Sequence, residues 1–282
     1  MEYITLNNGI KMPQAGFGVF QVKDQEECTR VVLDAIDAGY RLIDTAQSYG
    51  NEEAVGKAIQ LSSVPREELF ITTKVWISNY GYENAKKGIE NSLKELDTDY
   101  IDLYLLHQPY GDYLGAWKAL EEAYQAGKIK AIGISNITVN LWNKFKDGMT
   151  IMPAVNQVEF NPFTQQKELR KVMDENNIRL EAWFPLGHGN KDLLENETIV
   201  SLAHQYNKNA GQIILRWIYQ EGVISLPKST NPERMKGNID IFDFALTDDE
   251  MKAIQALDTG KATHNPEDPA NETRLMGLKI HD

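Results

Sequence analysis

Asp44, Tyr49, Lys74 and His107 are side chains whose types could move a proton between them. Asp44 closes the short apolar-leaning run at 40–43, Lys74 ends LFITTK, His107 ends IDLYLLH, and Tyr49 sits in the polar loop after Asp44. If the runs are neighbouring strands, Asp44 and Lys74 meet in a poorly solvated place, where each offsets the other's desolvation. Tyr49 could then bend back until its hydroxyl meets the Lys74 ammonium. A positive charge there favours phenolate and lowers the tyrosine pKa from its ordinary value of about 10. Such a tyrosine can donate a proton near neutral pH, with His107 beside it as a hydrogen-bond donor to a substrate oxygen. Plainer readings exist: an ordinary buried ion pair, a partly exposed loop tyrosine, a satisfied core histidine. Lys74 as a Schiff-base nucleophile is a further chemistry, although pairing with Asp44 keeps the amine protonated and unreactive. The joint occurrence at adjacent strand ends favours catalysis.

The elements that must position these residues repeat along the chain. YITLNNGIKMP carries an Asn8-Gly9 turn signal between two short extended runs and reads as a β-hairpin. Short β-like runs then alternate with helical ones: AGFG before 24–38, RLID before 51–62, LFITTK before 83–96 and IDLYLLH before 113–127. KAIGIS before 138–147, PAVNQVEF before 165–176, RLEAWF before helices near 195–220, and VISLPKS before 231–237 complete eight units. Alternation of this kind implies parallel pairing through right-handed crossovers. Eight units in a chain of 282 residues point to a closed (β/α)8 TIM barrel rather than an open sheet, and no GxGxxG turn follows an early strand. Asn51 with Glu52 and Glu53 reads as a helix start, and Gly127 and Gly148 as helix ends. The tail from about Thr259 has no period and is expected to lie extended over the barrel. The whole, 1–282, is expected to be a single domain.

In such a barrel chemistry gathers at the C-terminal strand ends. Besides Asp44, Lys74 and His107, the residues there are Ser135, Asn136, Gln157, Trp183 and Lys228. A net charge of −12 argues against nucleic acid or an anionic membrane as a general partner, so a site for an anion must be local. Lys228, Ser229 and Arg234 in PKSTNPERMKGN supply two positive charges and a hydroxyl at a short helix start, suited to a phosphate; a solvated surface pair is the alternative. One cysteine, Cys28, permits neither an internal disulfide nor a metal cluster of its own, and no metal site is expected. No run approaches a membrane span and the N-terminus lacks a signal-peptide pattern, so a soluble cytoplasmic protein is expected.

Three long motifs carry a resemblance to a known family. GYRLIDTAQSYGNEEAVG (39–56), KAIGISN (130–136) and LPKSTNPERMKGN (226–238) resemble, in order, the signatures of the aldo-keto reductases, and the resemblance covers nearly the whole chain. Within that family the sequence is similar to the bacterial branch of 2,5-diketo-gluconate reductase-like enzymes. The resemblance implies that Asp44, Tyr49, Lys74 and His107 form the catalytic tetrad, with Tyr49 as acid. It implies a nicotinamide cofactor: Ser135, Asn136 and Gln157 at its carboxamide, Trp183 stacked on its ring, and Pro185, Leu186 and Gly187 at its pyrophosphate. It places Lys228, Ser229 and Arg234 at the 2′-phosphate of NADP and Asn238 near the adenine, favouring NADPH over NADH. Phe20 and Trp76 match apolar walls of the substrate site. The implied partner is a small carbonyl substrate, and a monomer is expected. A non-catalytic NADP-binding redox sensor of the same fold is the alternative, against which the intact tetrad weighs.

The chain departs from the family pattern in places. Ile137 follows Ser-Asn where an aromatic is usual, Gln108 precedes Pro109 where relatives carry a bulky residue, and Phe184 follows Trp183 where a small residue is common. Phe184 could narrow the groove near the cofactor diphosphate. The short loop from Gln108 to Tyr113 implies a shallow mouth and broad small-carbonyl specificity, with His188 and the tail as possible gates.

Overall fold

The computed structural model describes residues 2–278 and Ile280. A two-stranded antiparallel hairpin, β1 (Tyr3–Thr5) and β2 (Lys11–Pro13), precedes the main sheet. Eight parallel strands follow: β3 (Gly16–Gly18), β4 (Leu42–Asp44), β5 (Phe70–Val75), β6 (Ile101–Leu106), β7 (Ile129–Ser135), β8 (Val155–Glu159), β9 (Arg179–Trp183) and β10 (Ile224–Ser225). Each pairs with the next in sequence order. A parallel bridge from Ala15 to Ser225 brings the ends together, with Ser225 N donating to Gln14 O at 3.0 Å and Gly18 N to Pro227 O at 3.1 Å. The expected (β/α)8 barrel and its N-terminal hairpin are therefore present.

Every residue of β5 and β6 is buried, because one face looks into the barrel and the other meets the surrounding helices. The interior is apolar towards the hairpin end, where Met12, Leu42, Leu103, Leu105, Val155 and Ile224 pack together. There is no room for a side chain at Gly133 on β7: a Cβ would lie 2.6 Å from Leu105 Cδ2 and 2.8 Å from Val155 O. Towards the C-terminal ends the strand register replaces these apolar residues with Asp44, Lys74, Gln157 and Glu181. A single alternation of side chains thus builds a dry floor and a polar ceiling.

Helices follow the strands as the periodicity predicts, including Gln25–Asp37, Tyr82–Glu95 and Tyr113–Gln125. Two features differ from expectation. Asn51 occupies the N-cap position of helix Glu52–Leu61 but its side chain makes no capping bond. It is instead wholly buried, accepting from Thr45 Oγ1 at 2.7 Å and donating to Val19 O at 3.1 Å and Val22 O at 2.9 Å. Glu52 likewise does not serve as a solvated first-turn charge; it accepts from Thr73 Oγ1 at 2.6 Å, and burial pushes its carboxyl up to about 7.

The tail is only partly extended. Residues after Asp268 form helix Pro269–Met276, started by the Asp268 side chain accepting from Ala270 N and by Pro269 in the first turn. It does lie over the barrel. Thr263 N and Oγ1 donate to Glu159 Oε2 at 2.7 and 2.8 Å, and Thr138 Oγ1 donates to Glu267 at 2.6 Å. Lys279, His281 and Asp282, at the end of the same tail, lie outside the described residues. Among the described residues no helix is long and apolar enough to cross a membrane.

Replacing Asn51 with alanine strands the Val19 and Val22 carbonyls and the Thr45 hydroxyl without their partner. Urea unfolding of Asn51→Ala is expected to show a loss of about 3 kcal/mol, well above that of an exposed asparagine changed in the same way.

Candidate active site

The mouth is organised around Lys74, whose side chain is fully buried. An ammonium carries three donors, and the structure supplies three acceptors: Asp44 Oδ1 at 2.6 Å, Thr45 O at 2.9 Å and Tyr49 Oη at 3.2 Å. Register explains the first, since β4 and β5 are neighbours. The third follows from the 3₁₀ turn Gln47–Tyr49, closed by left-handed Gly50 (φ 67°), which carries the half-buried tyrosine back over the lysine. His107, just past β6, lies beside it, its ring 5.7 Å from that of Tyr49 and 5.1 Å from that of Trp76, edge-on to both. All four residues singled out from sequence are brought together.

The electrostatics correct one expectation. Burial raises the Tyr49 phenol above its ordinary range and outweighs the opposing Lys74 charge, so the hydroxyl keeps its proton. Burial also favours the neutral Lys74 amine, but Asp44 and Tyr49 together hold the ammonium above its usual value. Burial and the Lys74 charge hold His107 well below the ordinary imidazole value, leaving it neutral. The site therefore presents a protonated phenol, an ammonium against its oxygen, and an uncharged imidazole. Cys28, buried on helix Gln25–Asp37, is a free thiol that burial, and then the Glu27 charge, push up to about 12.

The remaining polar residues of the mouth form a continuous network. Ser135 Oγ donates to Gln157 O at 2.8 Å, and Asn136 Nδ2 to His107 O and Ser135 Oγ, both at 3.2 Å. Trp183 Nε1 donates to Asn136 Oδ1 at 3.0 Å, which fixes the indole at the end of β9. Gln157 Nε2 donates to Asp44 Oδ2 and to Glu181 Oε2, both at 2.8 Å, spanning the barrel interior. The donors of this cluster are thus largely satisfied within the protein, while acceptor capacity remains at Gln157 Oε1 and Ser135 Oγ. Acceptors beside a partly exposed indole suit a flat ring bearing an amide N–H group, as a nicotinamide does.

Pro185, Leu186 and Gly187 form a turn in which Gly187 N donates to Phe184 O at 2.9 Å. Phe184 (φ 52°), Gly187 (φ 59°) and His188 (φ 55°) are all left-handed, and the Phe184 and His188 rings stack at 4.5 Å. Phe184 also approaches Phe20, 6.3 Å between rings, and Phe20 lies 5.0 Å from Tyr49. Phe20 therefore lies against Tyr49 and Trp76 against His107, Trp76 tied to the tail by Nε1 donating to Leu278 O at 3.1 Å. Lys228 and Arg234 are exposed, and among the described residues neither has a carboxylate partner; Glu233 pairs with Lys236 at 3.4 Å instead. Ser229 is buried and accepts from Asn231 N at 3.1 Å, and Asn238 lies half-buried on helix Pro232–Ile239. Among the described residues no cluster of metal-ligating side chains is present.

Sequence reasoning missed three residues here. Gln47 is buried, with the two hydrogens of Nε2 shared among Gly88 O, Tyr104 Oη and Ser92 Oγ at 2.9, 3.0 and 3.2 Å and Oε1 accepting from Trp76 N and Asn79 Nδ2 at 2.9 Å each. Ser48 Oγ lies 3.3 Å from His107 Nδ1. Both adjoin Tyr49 in a loop already singled out, yet a polar loop residue gives no sign of inward direction until the turn type is known. Glu181 stood in view on RLEAWF; its inward direction follows from strand alternation, its role only from its partners.

Fold and site together define a (β/α)8 barrel with a buried, hydrogen-bonded polar cluster at its C-terminal mouth. The model of the Aldo/keto reductase family matches residues 14–259. Glyoxal reductase of Bacillus subtilis (strain 168) is 48% identical over 257 residues, covering 91% of this chain and 92% of the relative. An aldo-keto reductase from a Medee basin deep-sea metagenome library superposes with a TM-score of 0.90 at 44% identity, covering 93% of this chain and 97% of that one. A Bombyx mori aldo-keto reductase, solved in complex with NADP, superposes with a TM-score of 0.88 at 34% identity and 96% coverage of both chains. The chain belongs to the aldo/keto reductase family.

Glu181 gives the site a pH signature. Burial, and then the Asp44 charge, raise its carboxyl from 4.5 to about 8. The folded chain therefore holds a proton that the unfolded chain has lost across that window, so stability falls as pH rises. This contribution is complete below about pH 4.5 and is lost through about pH 8. Glu181→Gln is expected to remove that component from a stability-against-pH curve from urea melts, the remaining slope being the net of Glu52, raised to about 7, and Asp44, also raised by burial, against His107, whose lowering acts in the opposite sense.

Proposed function

We propose that this protein reduces small carbonyl compounds, namely aldehydes, 2-oxoaldehydes and activated ketones, to alcohols with NADPH. The contact of Tyr49 Oη with the Lys74 ammonium at 3.2 Å, with Asp44 behind it at 2.6 Å, is the observation that carries the proposal. A phenol that keeps its proton until the reaction demands it, with a fixed positive charge against its oxygen, is built to give that proton up and to stabilise the phenolate left behind.

Bound NADPH supplies the hydride that the carbonyl carbon accepts. Tyr49 gives its proton to the carbonyl oxygen, and Lys74 holds the resulting phenolate until solvent restores the proton. Asp44 keeps Lys74 charged in a place where burial favours the neutral amine. His107, neutral, orients the carbonyl oxygen by a hydrogen bond. Ser135, Asn136, Gln157 and Trp183 would hold the nicotinamide, and Pro185, Leu186 and Gly187 the diphosphate. Lys228, Ser229 and Arg234 would hold the 2′-phosphate, with Asn238 beside the adenine. These two cations, without carboxylate partners among the described residues in a chain of net charge −12, support NADPH over NADH. Phe20 and Trp76 form apolar walls suited to small substrates. Names among the relatives agree with this reading, glyoxal being a 2-oxoaldehyde.

Two measurements check the proposal. Tyr49→Phe is expected to lower kcat/KM for methylglyoxal or an aromatic aldehyde by more than about tenfold, or ~1.4 kcal/mol; retention of more than a tenth would remove Tyr49 as proton donor. Arg234→Ala is expected to raise KM for NADPH by about tenfold or more while leaving KM for NADH unchanged, both followed by nicotinamide absorbance. Equal effects on the two coenzymes would place the phosphate elsewhere.

A further inference from the structure

Ser48 and His107 make a contact whose consequence goes beyond the tetrad. His107 is neutral, so one ring nitrogen carries a proton and the other a lone pair. Which tautomer forms is set by the hydrogen bond made at the opposite nitrogen. Around this imidazole the Tyr49 and Trp76 rings stand edge-on, at interplanar angles of 76° and 80°, and fix its plane without bonding to a ring nitrogen. Among the described residues the one hydrogen-bonding group at the ring is Ser48 Oγ, 3.3 Å from Nδ1, and Nε2 has no protein partner.

Ser48 is held there by its neighbours. Three consecutive residues of a 3₁₀ turn point about 120° apart: Gln47 into the core, Ser48 to His107, Tyr49 to Lys74. Gln47, anchored at both ends of its amide, prevents the turn from rotating. The Ser48 hydroxyl has no other hydrogen-bond partner among the described residues, so Nδ1 is the protein acceptor within its reach. If the hydroxyl donates, the ring proton lies on Nε2. The reverse arrangement, Nδ1–H donating to Oγ, would turn the Nε2 lone pair on a carbonyl oxygen and repel it.

We propose that Ser48 is a positioning residue that donates to His107 Nδ1 and so holds the imidazole as the Nε2–H tautomer needed to bond the substrate oxygen. The inference rests on the role given to His107 under the proposed function, but its primary test does not depend on turnover. Long-range ¹H–¹⁵N spectra of the ¹⁵N-histidine-labelled protein resolve the ring nitrogens of its five histidines, with a His107→Asn sample to assign the signals. The expected wild-type result is a protonated Nε2 and an unprotonated Nδ1. In Ser48→Ala these signals move towards a mixture of tautomers, and in Ser48→Thr, which keeps the hydroxyl, they return. Alongside, Ser48→Ala is expected to lose about tenfold in kcat for a carbonyl substrate with KM for NADPH unchanged, and Ser48→Thr to recover most of it. A wild-type Nδ1–H tautomer, or an alanine variant with unaltered ring signals, overturns the proposal, and the wild-type spectrum decides even if the variants fold poorly. A correct tautomer in a protein that reduces no carbonyl would instead sink the proposed function.

Discussion

A lysine ammonium with no access to water is the constraint on which the mouth of this barrel depends. Removing such a charge from solvent costs several kcal/mol unless its partners are well placed. Lys74 meets that demand with three acceptors from one short stretch of chain: a carboxylate at the end of β4, the carbonyl just beyond it, and the Tyr49 hydroxyl on the following turn. Two are structural and fully enclosed. The third is half-buried at the opening, so the arrangement that satisfies the buried charge also presents a polarised phenol to whatever enters. Asp44 carries the constraint further, since its second oxygen takes Gln157, which in turn holds Glu181 on β9. A hydrogen-bonded layer thus crosses the barrel interior above the apolar floor.

The loop between Asp44 and Glu52 converts that layer into a shaped site. Thr45 and Asn51 bond each other, and Asn51 reaches across to the loop after β3. Gln47 ties the turn to Trp76 and to helix Tyr82–Glu95, and Ser48 touches His107. Gln47, Ser48, Tyr49 and Asn51 are thus each committed to a different neighbouring element. A tyrosine expected to give up a proton repeatedly from one position needs such a frame, because small displacements of the donor sharply reduce rate. The tail adds to the same frame, meeting Trp76 and the loops after β7 and β8.

Charge is distributed unevenly around this frame. The chain as a whole is acidic, yet among the described residues Lys228 and Arg234 have no carboxylate partner, with Arg234 in the first turn of helix Pro232–Ile239. Their field is local, effective within roughly 10 Å at moderate salt. Around the Tyr49–His107 pair the surfaces are aromatic: Phe20, Tyr49, Trp76 and Phe184.

The sequence by itself determined the alternation of strands and helices, the closed barrel, and the meeting of Asp44, Lys74, Tyr49 and His107. Period-two patterning dictates which residues face inward, and parallel order dictates which strand ends are neighbours. The tail helix was less legible, because its eight residues show little amphipathic pattern and its start rests on the Asp268-Pro269 cap. Tertiary structure alone decided the rest. Sequence set a positive charge beside Tyr49, but whether that charge or burial governs the phenol depends on how much water the fold removes, and burial prevails. Asn51 looked like a cap and became a buried clasp, since the carbonyls of Val19 and Val22 come within its reach only once β3 and β4 have paired. Gln47 and Ser48 carry polar side chains in a polar loop; only the 3₁₀ turn aims one inward and the other at His107. Local pattern fixes direction along a strand, whereas the balance of charge and burial at a point is a property of everything packed around it.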